Sequence, residues 1–124
     1  MRQLSLWDYL SDEKPMFAQD HPILNRHLAE QIANYLDKGT IILRTTEKEP
    51  DFFDSSPENK ISASIRTDGE WIWDDAASYY IRHYSLAPDR EFQTYLKERN
   101  YSPRVPSEIE ISLALSELFD EDSD

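Results

Sequence analysis

The sequence contains no cysteine, which excludes a disulfide framework, a thiolate nucleophile and any soft sulfur ligand set. That absence fits a reducing compartment. Glycine is almost as scarce. With Gly39 and Gly69 alone, the chain has no glycine-rich loop to cradle a phosphate and no G-x-S-x-G elbow to present a serine nucleophile. The three histidines, His21, His27 and His83, form no H-E-x-x-H pair, and His21 and His27 stand six residues apart, which keeps them off a common helix face. Long apolar runs are missing too. The opening "MRQLSLWDYL" lacks the continuous apolar core of a signal peptide, and no stretch approaches the roughly 18 apolar residues of a membrane span. The expectation is a cytoplasmic chain with no metal, no cofactor and no membrane contact.

Positive charge is the next shortage. Lys and Arg number 13 against 25 for Asp and Glu, a formal net charge of −12. Such a balance, with no basic patch to offset it, excludes direct binding of nucleic acid or anionic lipid, because a polyanion is repelled. It favours the opposite partner, since a basic protein is attracted from a distance and captured faster. The carboxylates are unevenly placed. Residues 105 to 124, "VPSEIEISLALSELFDEDSD", carry seven and no Lys or Arg, and the loop "EKEPDFFDSSPE", 47 to 58, carries five against one Lys.

What the chain does have is enough apolar and aromatic material, 39% and 12% of 124 residues, for one core that buries about two thirds of the unfolded surface. One α+β domain is expected over residues 1–124, with a short acidic tail at 120–124 and no internal repeat. The N-terminal "QLSLWDYL" has a weakly helical spacing of Leu4, Leu6, Trp7 and Leu10 and is expected to dock on the body. "DHPILNRHLAEQIANYLDKG" reads as a helix capped at Asp20 or His21, with Pro22 in its first turn and Gly39 just past its end. Leu24, Leu28, Ile32, Tyr35 and Leu36 recur at steps of three and four and give it an apolar face.

That face needs a sheet. "TIILRTT", 40–46, and "KISASIRT", 60–67, are β-branched or alternating. Asp68-Gly69 is a dipeptide favoured at the centre of a two-residue type I′ turn, so a 60–67/70–73 hairpin is expected, with Arg66 facing Trp71 and Ile65 facing Ile72. In that hairpin Ile61, Ala63, Ile65 and Ile72 share one face and Trp71 and Trp73 the other. The fold class is therefore α+β, a small antiparallel sheet of about three strands packed with four or five helices. Asp74 is expected to cap the next helix, with Asp75 in its first turn; Ala76, Ala77, Tyr80, Ile81 and Tyr84 would face inward and Tyr79, Arg82 and His83 nearer solvent. Pro88 opens a further helix with Phe92, Tyr95 and Leu96 inside. Residues 107–119 alternate like a strand at Ile109, Ile111, Leu113 and Leu115, but Ser107 and Glu110 make an S-x-x-E capping box, and the helix is preferred.

No constellation for chemistry emerges. Asp68, Glu70, Asp74 and Asp75 lie close in sequence, as a glycosidase would need, yet turn, strand end, cap and first helical turn account for each. An enzyme is not expected, and no residue is assigned a catalytic or metal-binding role.

The stretch "IRTDGEWIWDDAASYYIRHYSLAPDREFQTYLKERNYSPRVP" resembles, over about residues 61 to 106, the immunity proteins encoded beside bacterial polymorphic toxins, including those of contact-dependent growth inhibition systems. The shared pattern is a strand, a T-D-G turn, a W-x-W strand, a helix with paired tyrosines, an E-F..Y-L helix and a Y-x-P segment. The resemblance implies a protein that binds the C-terminal toxin domain delivered by a neighbouring cell, in many cases a basic nuclease, and spares the producer. Thr67, Asp68, Gly69, Trp71 and Trp73 match the shared pattern and read as scaffold. Recognition is expected in the acidic loop and its flanks, at Asp51, Phe52, Phe53, Asp54, Glu58, Glu70 and Tyr79. The alternative is an acidic nucleic-acid mimic or adaptor that binds an endogenous DNA-binding protein.

Overall fold

The computed structural model describes residues 1–12, 14–54 and 58–120. In chain order the elements are β1 (Arg2–Gln3), β2 (Tyr9–Ser11), β3 (Lys14–Met16), α1 (Arg26–Asp37), β4 (Thr40–Leu43), β5 (Lys48–Pro50), β6 (Asn59–Ser62), β7 (Ile65–Thr67), β8 (Trp71–Asp74), α2 (Asp75–Tyr84), α3 (Arg90–Glu98) and α4 (Glu108–Asp120). The fold is α+β. Its central sheet has the order β1-β8-β7-β4, and β2-β3 and β5-β6 form two separate two-stranded ribbons.

The structure departs from the sequence expectation at several places, three of them in the strands that build the central sheet. The N-terminal segment is not helical: β1 adds to the sheet as a parallel strand beside β8, the Leu4 amide donates to the Ile72 carbonyl at 2.9 Å, and Leu4 and Leu6 are buried. A spacing of two places both leucines on one side of an extended chain, and this outweighs a helical spacing too short to hold itself. The sheet is accordingly four-stranded and mixed.

The expected strand 60–67 is divided between two sheets. β6 pairs with β5, and β7 pairs with β4 and β8. The break falls at Ala63–Ser64, where serine hydroxyls replace ladder partners. Ser62 Oγ accepts from the Ser64 amide, Ser64 Oγ accepts from the Thr45 amide, and Ser62 donates to Asp75 at 2.9 Å.

The hairpin turn sits one residue later than expected. Arg66 faces Trp73 and Thr67 faces Ile72, and the Asp68 amide donates to the Trp71 carbonyl, so Gly69 and Glu70 are the central pair. Gly69 has φ +102°, which suits the first central position of a hairpin turn. Asp68 is thereby freed for another role. Its Oδ1 accepts from the amides of Glu70 and Trp71, and its Oδ2 from the hydroxyls of Tyr35 at 2.5 Å and Tyr95 at 2.7 Å. Because the shift moves every partner by two positions, the faces of the strands are preserved.

The sheet is covered on both sides, and Trp71, Ile72 and Trp73 are all at most 3% exposed. Both tryptophans pack on Phe92 of α3, Trp73 also meets Tyr35 of α1, and its indole donates to the Leu36 carbonyl. Ile32, Leu36, Ile81, Phe92 and Leu96 complete the core, each adding about 1.5–3 kcal/mol by leaving water.

The helices follow their caps. α1 starts later than expected because Asn25, not Asp20 or His21, accepts from the Leu28 amide, while Ile23 bridges to Leu86. Asp74 caps α2 through the Ala77 amide. Ser107 and Glu110 make a reciprocal capping box at α4, so 108–120 is helix. Residues 121–124 of the expected acidic tail lie outside the described residues. No helix among the described residues is long and apolar enough to cross a membrane.

Candidate interaction surface

The described residues just after β5, 51–54, are organised by one carboxylate. Asp51, expected among the partner-binding residues, is 4% exposed and belongs to the loop's anchor. Its Oδ2 accepts from the hydroxyls of Tyr79 and Tyr84, each at 2.7 Å, and its Oδ1 from the Phe53 amide at 2.7 Å. Burial pushes its carboxyl up, but these bonds, with Lys60 nearby, outweigh burial and leave it below the usual value. The same carboxylate raises the Tyr79 and Tyr84 hydroxyls.

The bonds place Phe52 and Phe53 at the surface, 42% and 45% exposed. The Phe52 amide donates to the Tyr80 hydroxyl. On their inner edges the two rings meet Phe17, with centroids 5.4 and 5.5 Å away, and Phe53 meets Tyr84 at 4.7 Å. The pair is therefore half plug and half exposed contact, held in one orientation by ring packing and by Asp51.

Around the pair lie carboxylates. Asp54 pairs with Lys60 at 2.5 Å, and Glu49 lines a cavity with Phe52; the expected Glu58 is exposed just before β6 and is not brought against the rings by any described contact. Tyr79, expected to point outward, is half-buried with its hydroxyl committed to Asp51 and its ring 4.4 Å from that of His83. Of the expected residues, the fold thus gathers Asp51, Phe52, Phe53 and Tyr79, with Asp54 next in the loop. Glu70 is exposed but lies at the far end of β8, in a shallow hollow with Leu113 and Glu117 of α4. It does not join the loop.

Two features, one at this surface and one away from it, escaped the sequence reading. One is Phe17, whose ring underpins Phe52 and Phe53 from a segment without any regular pattern. The other is the outer side of α4, where Ile109 and Leu113 are 74% and 56% exposed beyond an 87% exposed Val105. The signal was present in the sequence: a strand-like alternation wound onto a helix distributes apolar residues all round it. Ala114 is buried, while Ile109, Leu113 and Phe119 remain outside.

Among the described residues no group of three or more His, Asp or Glu side chains is placed to hold a metal ion. His21 is instead tied to Asp8 at 2.8 Å and to the Ala87 carbonyl at 2.9 Å.

No family model matches the chain, and no curated protein or solved structure matches it either.

Proposed function

We propose that the protein is an immunity-type inhibitor that binds the C-terminal domain of a bacterial toxin, a basic nuclease, and protects the cell that makes it. The observation that carries this reading is the presentation of Phe52 and Phe53. Two aromatic side chains are nearly half exposed beside a buried aspartate that accepts from the Phe53 amide and from two tyrosine hydroxyls. A mobile apolar loop would lose entropy on binding, whereas a prefixed one avoids that cost. Large rings set in an acidic rim are suited to the centre of an interface, and the surrounding carboxylates to steering a cationic surface toward it.

The charge supports the same partner. At −12, the protein attracts a domain whose own groove is built for phosphates, and its carboxylates can occupy the positions that phosphates would take. The resemblance of residues 61 to 106 to toxin-associated immunity proteins adds the biological setting.

The test is protection. The toxin domain from the adjacent reading frame, expressed in a sensitive bacterium, is expected to stop growth, and co-expression of this protein to restore it. An unrelated basic nuclease should remain toxic. Equal protection against both would favour the acidic mimic, and no protection against the neighbour would overturn the reading.

A further inference from the structure

A cavity of about 500 Å³ opens between the N-terminal segment, the β5 loop and the start of α2. Its size falls within the range of about 300–1,000 Å³ typical of small-molecule sites. The floor is made by Leu6, Ile72 and Trp73, which are at most 4% exposed, and the mouth by Trp7 and Phe52, 40% and 42% exposed. An apolar body entering it would be covered on several sides by aliphatic and aromatic surface.

The wall carries two carboxylates, Asp74 and Glu49, and no Lys, Arg or His among the described residues. Asp74 is held on one side by the amides at the start of α2, with its Oδ1 3.3 Å from the Ala77 nitrogen. Burial above all, with the charges of Glu49 and Asp75 adding to it, outweighs the Ala77 and Ala76 amides and raises its carboxyl to about 6. Asp75 is answered by Arg66 at 2.7 Å. By contrast, the negative charge at the cavity wall has no cation beside it among the described lining residues. A positive group on a ligand would relieve that repulsion, and the aromatic rings Trp7, Phe52 and Trp73 among the lining are of the kind that attract a cation.

We propose that this cavity binds a small organic cation, an apolar body bearing one ammonium group, with the body against Leu6, Ile72 and Trp73 and the ammonium between Asp74 and Glu49. A neutral apolar ligand would leave the carboxylates unanswered. An anion would be repelled by them. The inference does not rest on the toxin-binding role, although Phe52 stands both at the cavity mouth and on the outer surface of the loop.

The test uses three probes with one chain length, octylamine, octanol and octanoate, below their aggregation concentrations and at a pH well above 6, followed by calorimetry and tryptophan fluorescence. Octylamine is expected to bind about tenfold or more tightly than octanol, and octanoate not to bind. Asp74→Asn retains an N-cap, because Asn caps as well as Asp, and is expected to bring octylamine down to the affinity of octanol. Glu49→Gln, at an exposed position, should weaken octylamine in the same direction without affecting the fold. Tetralysine, which has charge but no compact apolar body, should bind far more weakly than octylamine. Equal binding of octylamine and octanol, indifference of octylamine to both substitutions, tetralysine binding as tightly as octylamine, or no binding of octylamine would each overturn the proposal.

Discussion

Two buried carboxylates, Asp51 and Asp68, each organise a segment by collecting donors from distant parts of the chain. Asp68, 1% exposed, gathers two amides of its own turn and the hydroxyls of Tyr35 and Tyr95. Burial together with the Asp68 carboxylate raises both phenols, so they remain donors throughout the neutral range. Asp68→Ala strands these donors and is expected to cost about 3 kcal/mol or more in a urea titration, while Tyr35→Phe, which removes one bond to a charged acceptor, should cost about 1.5–3 kcal/mol. Gly39 gives a third residue-scale expectation. A β-carbon there would stand 2.4 Å from the Trp73 ring, so Gly39→Ala should lower stability by about 1–3 kcal/mol through overpacking, read as a lower denaturation midpoint. The sequence marked Gly39 as a helix-end residue, which it is, and Asp68 as a central turn residue, whereas it stands just before the central pair Gly69–Glu70. It gave no sign of the two tyrosines on Asp68 or the two on Asp51, because those partners are 27 to 33 positions away and no local period connects them.

Elements were legible where a local rule acts alone. The caps of α2 and α4 and the apolar stripe of α1 follow from side chains within four positions of one another. Illegible were the outcomes decided between segments: the parallel pairing of β1, the switch of the chain between sheets at Ser62–Ser64, and the one-residue shift of the turn. Each depends on which backbone groups find partners across the fold. The cap of α2 also leads to a pH prediction. Asp74 titrates near 6 in the folded protein against 3.8 for its ordinary value, so the folded state holds the proton more tightly. Stability from this group is therefore greatest below 3.8 and falls as pH rises through about 6, a loss on the order of 3 kcal/mol. Asp51 acts in the opposite sense. Its depressed carboxyl adds stability above its ordinary value, and that contribution is lost as the solution is acidified through the folded value. Denaturant titrations of Asp74→Asn between pH 4 and 7 should show the decline over that interval flattened, because the substitution removes the charge while keeping a cap.

At the scale of the molecule, an α+β body carries an acidic surface with several apolar exposures among the described residues, the Phe52–Phe53 pair and the outer side of α4 among them. The carboxylates act mainly on the approach of a partner and the rings on its retention. Added salt should therefore slow association with a basic toxin domain more than it speeds dissociation, as followed by surface-immobilised kinetics. Substituting both rings should do the reverse. The most direct measurement is a calorimetric titration of the toxin domain from the adjacent reading frame with the wild-type protein and with the Phe52→Ala, Phe53→Ala double variant, after circular dichroism has shown that both are folded. Tight binding by the wild type, weakened by about 2 kcal/mol or more in the variant, is the predicted result. Wild-type affinity retained by the variant, or no binding by either, would contradict the claim that this anchored loop captures a toxin.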